Sequence, residues 1–226
     1  MSESSALNSA LIPWKQAIDG APQILLGLSG GMDSILLLTL LKEQVGSRYI
    51  QAVHINHGLS ENSDQWQQFA KDYCEKIGVE FYAEKIQLIA TGEGIEAAAR
   101  KARYSVFEKR LKVGGLLFLA HHADDQVETV LYRLLRGAGS KGLAGMPESR
   151  SLGAGKLIRP LLDYSRQDLH AEALNRKLKW VEDESNQDNH FDRNYIRNKV
   201  IPAVAQRWPD YAQSIMHSAA LSLQSD

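Results

Sequence analysis

Residues 24–45 read Ile-Leu-Leu-Gly-Leu-Ser-Gly-Gly-Met-Asp-Ser-Ile-Leu-Leu-Leu-Thr-Leu-Leu-Lys-Glu-Gln-Val. A short apolar run, Ile24–Leu28, reads as a buried strand, and the apolar run from Ile35 reads as a helix. Between them lies Ser29-Gly30-Gly31-Met32-Asp33-Ser34. Glycines at a strand-to-helix turn let successive amides point into one concavity, and the helix N-terminus adds partial positive charge. Ser29 and Ser34 offer hydroxyl donors, so the segment predicts a phosphate site. Asp33 would repel a phosphate, which leaves two readings: a bridging divalent cation, or a helix cap. The Gly-x-x-x-x-Gly-Lys-Ser/Thr pattern is absent, and the loop has no lysine.

Outward from this loop the chain alternates strand and helix. Strands are expected at Ile24–Leu28, Tyr49–Ile55, Val79–Ile86 and Leu116–Ala120, and helices at 33–45, 63–77, 94–112 and 124–136. Continuous apolar strands in this alternation predict a doubly wound parallel sheet, an α/β fold. Ligands of such sheets lie at the carboxyl ends of the strands. After Pro147 the pattern changes. Residues 157–162 read as a short strand or extended link, with helices expected at 165–178, 192–208 and 209–223 and a break or kink at Pro202. The domain reading is 1–150 for the nucleotide-binding part and 151–226 for a continuation with a small helical appendage.

Bulk composition narrows the class. The 226 residues are 44% hydrophobic and 23% charged, with a net charge of −1, so the whole chain is no generic polyanion binder. The single cysteine, Cys74, excludes an internal disulfide and a cysteine-held cluster within these residues. The N-terminus lacks the basic and apolar regions of a signal peptide, and no apolar run approaches the ~20 residues of a membrane span. A cytoplasmic protein without membrane contact is the expectation. Charge is uneven: residues 131–160 hold six basic residues against Glu148 alone, with glycines interspersed. That suits either a phosphate contact, with Arg133, Arg136 and Lys141 as candidates, or a solvated loop.

Three further blocks carry chemistry. His54 and Asn56 end the second strand on one side, where they either hydrogen-bond a base or close a turn. Arg100 and Tyr104 are four apart on a helix, with Arg103 beside them; two guanidiniums on one face suit a phosphoryl group, or an ordinary surface helix. Asp125 and Glu128 are three apart near a helix start. Two carboxylates together are costly unless a cation sits between them, so Mg²⁺ or an amine substrate is expected there. Asp124 and Asp125 are also ordinary at a helix N-terminus. The adjacent His121 and His122 lack a third ligand at zinc spacing. The polar run from Trp180 to Asn198 reads as a structural network.

In order and spacing these blocks resemble the tRNA-isoleucine lysidine synthetases, a branch of the N-type ATP pyrophosphatases. The matching stretches are SGGMDS at 29–34, VHINHG at 53–58, GIEAAARKARY at 94–104, AHHADDQVETVLYRLLRGAG at 120–139, GLAGM at 142–146, RPLL at 159–162 and the run 180–198. The resemblance implies a Rossmann-like sheet of the adenine nucleotide alpha hydrolase type. It implies ATP and Mg²⁺ as cofactors, with L-lysine and an isoleucine tRNA bearing a wobble cytidine as partners, and it allows a homodimer. It implies ATP binding by Ser29, Gly30, Gly31, Met32, Asp33, Ser34, His54 and Asn56. Catalysis would fall to Asp33, Arg100 and Asp125, lysine binding to Asp125 and Glu128, metal contact to Asp33 and Asp125, and tRNA binding to Arg133, Arg136 and Lys141. Longer family members carry C-terminal tRNA-binding domains, which are expected to be absent here. Two alternatives remain at this point: a tRNA thiolase of the same superfamily, and an ATP-binding module without chemistry.

Overall fold

The computed structural model describes residues 6–46, 49–58, 60–86 and 95–224. Its elements are α1 (Lys15–Gly20), β1 (Ile24–Gly27), α2 (Met32–Val45), β2 (Ile50–Asn56), α3 (Ser63–Ile77), β3 (Glu80–Lys85), α4 (Ile95–Arg110), β4 (Leu116–Phe118), α5 (Ala123–Leu135), α6 (Ser140–Leu143), β5 (Ser149–Leu152), β6 (Gly155–Ile158), α7 (Arg166–Asn175), α8 (Asp192–Tyr195), α9 (Ile201–Arg207) and α10 (Tyr211–Gln224). The alternation read from the sequence is present. Gly94, the expected start of the third helix, lies outside the described residues.

The chain divides into two compact units. One comprises the described residues up to Ala120 with Ser149–Pro160 and Gln167–Glu182; the other comprises His121–Glu148, Leu161–Arg166 and the described residues from Asp183 onward.

The first unit holds a six-stranded sheet in the order β3-β2-β1-β4-β6-β5. All neighbours are parallel except β5 and β6. The chain steps outward from β1 to β3, then returns through α4 to β4 on the other side of β1. Strand order thus reverses between β1 and β4, and in sheets of this kind the carboxyl ends of the strands at such a point are where ligands bind. The reason β1 is central is visible in its residues: Ile24, Leu25 and Leu26 are all buried, as a strand covered on both faces requires. Leu25, Val53, Phe107, Leu111, Leu117, Leu119, Leu152 and Leu157 form one cluster. Burying each leucine contributes about 1.5–3 kcal/mol. Most of α2 is buried too, so its apolar residues run nearly all round the helix and fix the loop before it.

The β5–β6 hairpin is absent from the sequence reading. Only Leu152 of β5 is buried, so the segment lacks strand patterning and takes its conformation from the antiparallel pairing with β6.

In the second unit the helix expected over 192–208 runs as α8, a π-helical turn at Ile196–Val200, and α9. Pro202 sits in the first turn of α9. In the interior of one continuous α-helix its missing N–H and its ring would break the ladder; in a first turn it is tolerated, and the π turn lies immediately before it.

Candidate functional site

The turn after β1 is held by short contacts within the first unit. The Leu28 amide donates to the Val53 carbonyl at 2.9 Å, continuing the ladder past the strand. Gly30 has φ of +89°, a conformation that L side chains rarely adopt, and its carbonyl accepts from the Val181 amide at 3.0 Å. The Ser34 hydroxyl donates to the Gly31 carbonyl at 2.9 Å, and the Ser29 oxygen accepts from the Gly31 amide at 3.2 Å. Ser34 has one proton to give, so the 3.0 Å contact between the two hydroxyls has Ser29 as its donor. Both serines therefore shape the loop in this state. Gly31 is the N-cap of α2 and has no side chain to cap it, which leaves the first amides of the helix without a side-chain acceptor from the cap.

Replacing Gly30 by Ala would put a Cβ 3.1 Å from Val181 Cγ2 on a left-handed backbone. We expect a stability loss of about 1–2 kcal/mol. A urea midpoint equal to that of the parent chain would contradict this account of the loop.

At the end of β2, His54 Nδ1 donates to the Leu28 carbonyl at 2.9 Å. Burial lowers its pKa, although this hydrogen bond opposes the shift. With a carbonyl as its partner, Nδ1 carries a proton, and burial disfavours the charged ring. Asn56 donates to Asp64 Oδ1 at 2.7 Å and Gln67 Oε1 at 3.1 Å, and accepts from the Gly58 amide at 2.9 Å. Its amide closes the turn after β2 and ties that turn to α3. His57 is pushed down to about 4, first by burial, then by the positive charge of Arg103 and by His54. On α4, Arg100 Nη2 donates to the Tyr104 hydroxyl at 3.3 Å.

The second unit contains the carboxylates. Burial would raise Asp125, but the positive charge of His122 and His121, the His122 amide and Arg197 outweigh it and hold the group below its ordinary value. That amide donates to Asp125 Oδ2 at 3.1 Å, as in a capped helix start. Asp124 takes the Arg166 amide at 2.8 Å and is held down to about 2, chiefly by its hydrogen bond with His122. Glu128 is 1% exposed. Arg197 grips it with both ends of its guanidinium, Nε to Oε1 at 2.5 Å and Nη2 to Oε2 at 2.9 Å, and reaches Asp125 Oδ1 at 3.4 Å. The cation that the carboxylate pair required is therefore supplied by the chain itself. Burial nevertheless raises Glu128. Arg193 Nη2 donates to Thr129 at 2.5 Å, and the Tyr211 phenol is raised by burial and by the charges of Asp124 and Glu128. Arg193, Arg197 and Tyr211 were not singled out as site residues from sequence. The four-residue spacing of the two arginines, one helical face, is the signal that could have found them.

The basic segment is braced from α5. Arg133 Nη1 donates to the carbonyls of Gly142 and Gly145 at 2.8 and 2.7 Å. The Gln126 amide pairs with both backbone groups of Met146 at 2.6 Å. Gly145, at φ +72°, admits this pairing because a Cβ there would lie 2.8 Å from Gln126 Oε1. Arg136 and Lys141 are exposed.

The loop suits a nucleotide phosphate by its glycines and by the start of α2, which no side chain caps. For Mg²⁺ the fit is of a particular kind. Among the described residues no group of three or more His, Cys, Asp or Glu side chains is arranged to hold a metal. A single carboxylate in the first turn of α2, Asp33, suits a Mg²⁺ that takes its other ligands from phosphates and water.

Comparison with known proteins bears on the family and the fold. The chain matches the ATP-binding PP-loop domain over residues 4–204. It is 44% identical over 219 residues to the tRNA(Ile)-lysidine synthase of Pseudomonas aeruginosa, covering 96% of this chain and 48% of that protein. The synthase of Vibrio cholerae is 45% identical over 208 residues, covering 90% and 47%. The chain thus spans about half the length of the curated relatives it matches. Among solved structures, the U34-tRNA thiolase NcsA of Methanococcus maripaludis superposes with a TM-score of 0.66 at 18% identity, covering 95% of this chain and 80% of that one. The NH3-dependent NAD synthetase of Campylobacter jejuni gives 0.57 at 14%, covering 97% and 96%. At these identities the structural likeness speaks for the fold.

Proposed function

We propose, because this chain belongs to the ATP-binding PP-loop domain family, that it carries the catalytic machinery for joining L-lysine to the wobble cytidine of an isoleucine tRNA. The cytosine ring oxygen attacks the α-phosphorus of ATP and pyrophosphate leaves. The ε-amine of lysine then displaces AMP and gives lysidine. The observation that carries this reading is the 44% identity, over 96% of the chain, to a protein named for that reaction. The residues support it independently.

In this reading the amides of Gly30–Ser34 hold the phosphates, and Arg100 offsets charge developing on the transferred group. Mg²⁺, held by Asp33 and the phosphates, would neutralise charge on the leaving pyrophosphate. Asp125 is the lysine-facing carboxylate, since Arg197 meets it only at 3.4 Å while chelating Glu128. Glu128 sets the position of Arg197 and with it the charge felt by the incoming ammonium. One carboxylate of the pair takes the proton that the amine must lose before attack. Arg136 and Lys141 contact tRNA phosphates, and Arg133 braces the loop that presents Lys141. A thiolase reading is weaker. Cys74, the one cysteine of these 226 residues, is buried, and its thiol is pushed up to about 12 by that burial.

The test uses ATP, Mg²⁺ and radiolabelled lysine with two tRNA transcripts that differ only in the wobble base. Label should enter the RNA with cytidine at that position and fall at least about tenfold with uridine, a gap of ~1.4 kcal/mol in discrimination. Label entering both transcripts equally, or neither, would overturn the proposal.

A further inference from the structure

In the first unit, three guanidiniums from separate elements converge on one phenol. Arg100 and Tyr104 stand on α4, Arg150 on β5, and Arg159 directly follows β6. Arg100 Nη2 lies 3.3 Å and Arg159 Nη2 3.4 Å from the Tyr104 hydroxyl. The Arg100 and Arg150 guanidinium carbons each lie 5.0 Å from the centre of the Tyr104 ring. The aromatic face offsets part of the mutual repulsion, as cations over a π system do. It does not remove it: burial lowers the Arg159 pKa, and the charges of Arg150 and Arg100 lower it further, against the opposing pull of Tyr104. Among the described residues, no carboxylate forms an ion pair with Arg100 or Arg150.

Gathering like charges costs stability, and an anion beside Arg100 and Arg150 would return part of it. Arg159 is 2% exposed and so fixed, whereas Arg150 is exposed and leaves an open side. Arg159 follows the carboxyl end of β6, the edge where ligands of parallel sheets bind. The forked donors of Arg100 and Arg150, with the fixed charge of Arg159 behind them, match the several oxygens of a phosphoryl group.

We infer that Arg100, Arg150 and Arg159, arranged around Tyr104, form a phosphoryl-binding site entered past Arg150. The phosphoryl group belongs either to a polyphosphate or to a polynucleotide backbone. Only Arg100 is shared with the ligase reading.

Two probes separate the sources: inorganic pyrophosphate by titration calorimetry, and a short single-stranded RNA by fluorescence anisotropy at several salt concentrations. Each is tested on the parent chain, Arg150→Gln and Tyr104→Phe, with circular dichroism to verify folding. Arg150→Gln should weaken one probe about tenfold, and for RNA should reduce the slope of log K against log salt by roughly 0.7. Loss for pyrophosphate assigns a polyphosphate, loss for RNA assigns the backbone, and loss for both leaves the site standing for either. A second readout is Tyr104 ionisation by ultraviolet difference spectroscopy, which a bound anion should move to higher pH in the parent chain but not in Arg150→Gln. Unchanged affinity for both probes with unmoved ionisation overturns the site. Lysine transfer with unchanged probe binding would reject this site alone. Intact probe binding without lysine transfer would reject the ligase alone.

Discussion

Asp33→Ala is expected to reduce tRNA-dependent AMP formation by at least about 10²-fold while leaving the fold intact. The expectation follows from where Asp33 stands. It lies in the first turn of α2, next to an N-cap without a side chain, at the carboxyl end of the central strand. A carboxylate there opposes phosphate binding unless a cation is shared between them. If its task is to hold Mg²⁺ on the nucleotide, removing it removes charge stabilisation in the transition state and spares the buried apolar face of α2. If its task is only to favour the helix N-terminus, the loss should appear as about 0.5–1 kcal/mol of stability with near-normal turnover. AMP measured by chromatography and folding measured by circular dichroism distinguish the two. Near-normal AMP output from a folded variant would remove Asp33 from the catalytic set.

The second large effect is expected at Arg197. Arg197→Met leaves Glu128, which is 1% exposed, beside Asp125 with no guanidinium between them. Breaking a buried pair from one side costs about 3–5 kcal/mol; Arg197 is partly solvent-exposed, so the lower end applies. Urea denaturation should show this loss. The double change Glu128→Gln with Arg197→Met should recover most of it, because the uncompensated charge is gone. Glu128→Gln alone should raise the apparent KM for lysine at least about tenfold and leave that for ATP nearly unchanged, since Arg197 without its carboxylate repels the incoming ammonium; tenfold is ~1.4 kcal/mol. An unaltered urea midpoint for Arg197→Met would show that the pair contributes nothing to the unit. An unaltered KM for lysine in Glu128→Gln would reject its part in lysine use.

What was legible in the sequence had a local cause. The strand-turn-helix at 24–45 is set by an apolar run, two glycines and a second apolar run, and each of these acts within a few residues of itself. The parallel sheet followed from the same periodicity repeated. Asp125 and Glu128 could be paired on paper because three residues on a helix make neighbours. Where the reading stopped, the cause was distance along the chain. β5 has one buried residue in four and becomes a strand only by pairing with β6. His54 and Asn56 were open to a ligand in the sequence; in the fold the Leu28 carbonyl, Asp64 and Gln67 engage them.

The sequence by itself determined the α/β class, the strand-turn-helix at 24–45 and the need for a cation beside two carboxylates, because spacing along one element dictates which side chains share a face. Only the tertiary structure decided which cation that is. Arg197 reaches Glu128 across 69 residues of chain, and Arg159 reaches Tyr104 across 55. No local periodicity encodes such pairs, since they form only when separate elements are packed together and the burial that makes their charges count has been achieved.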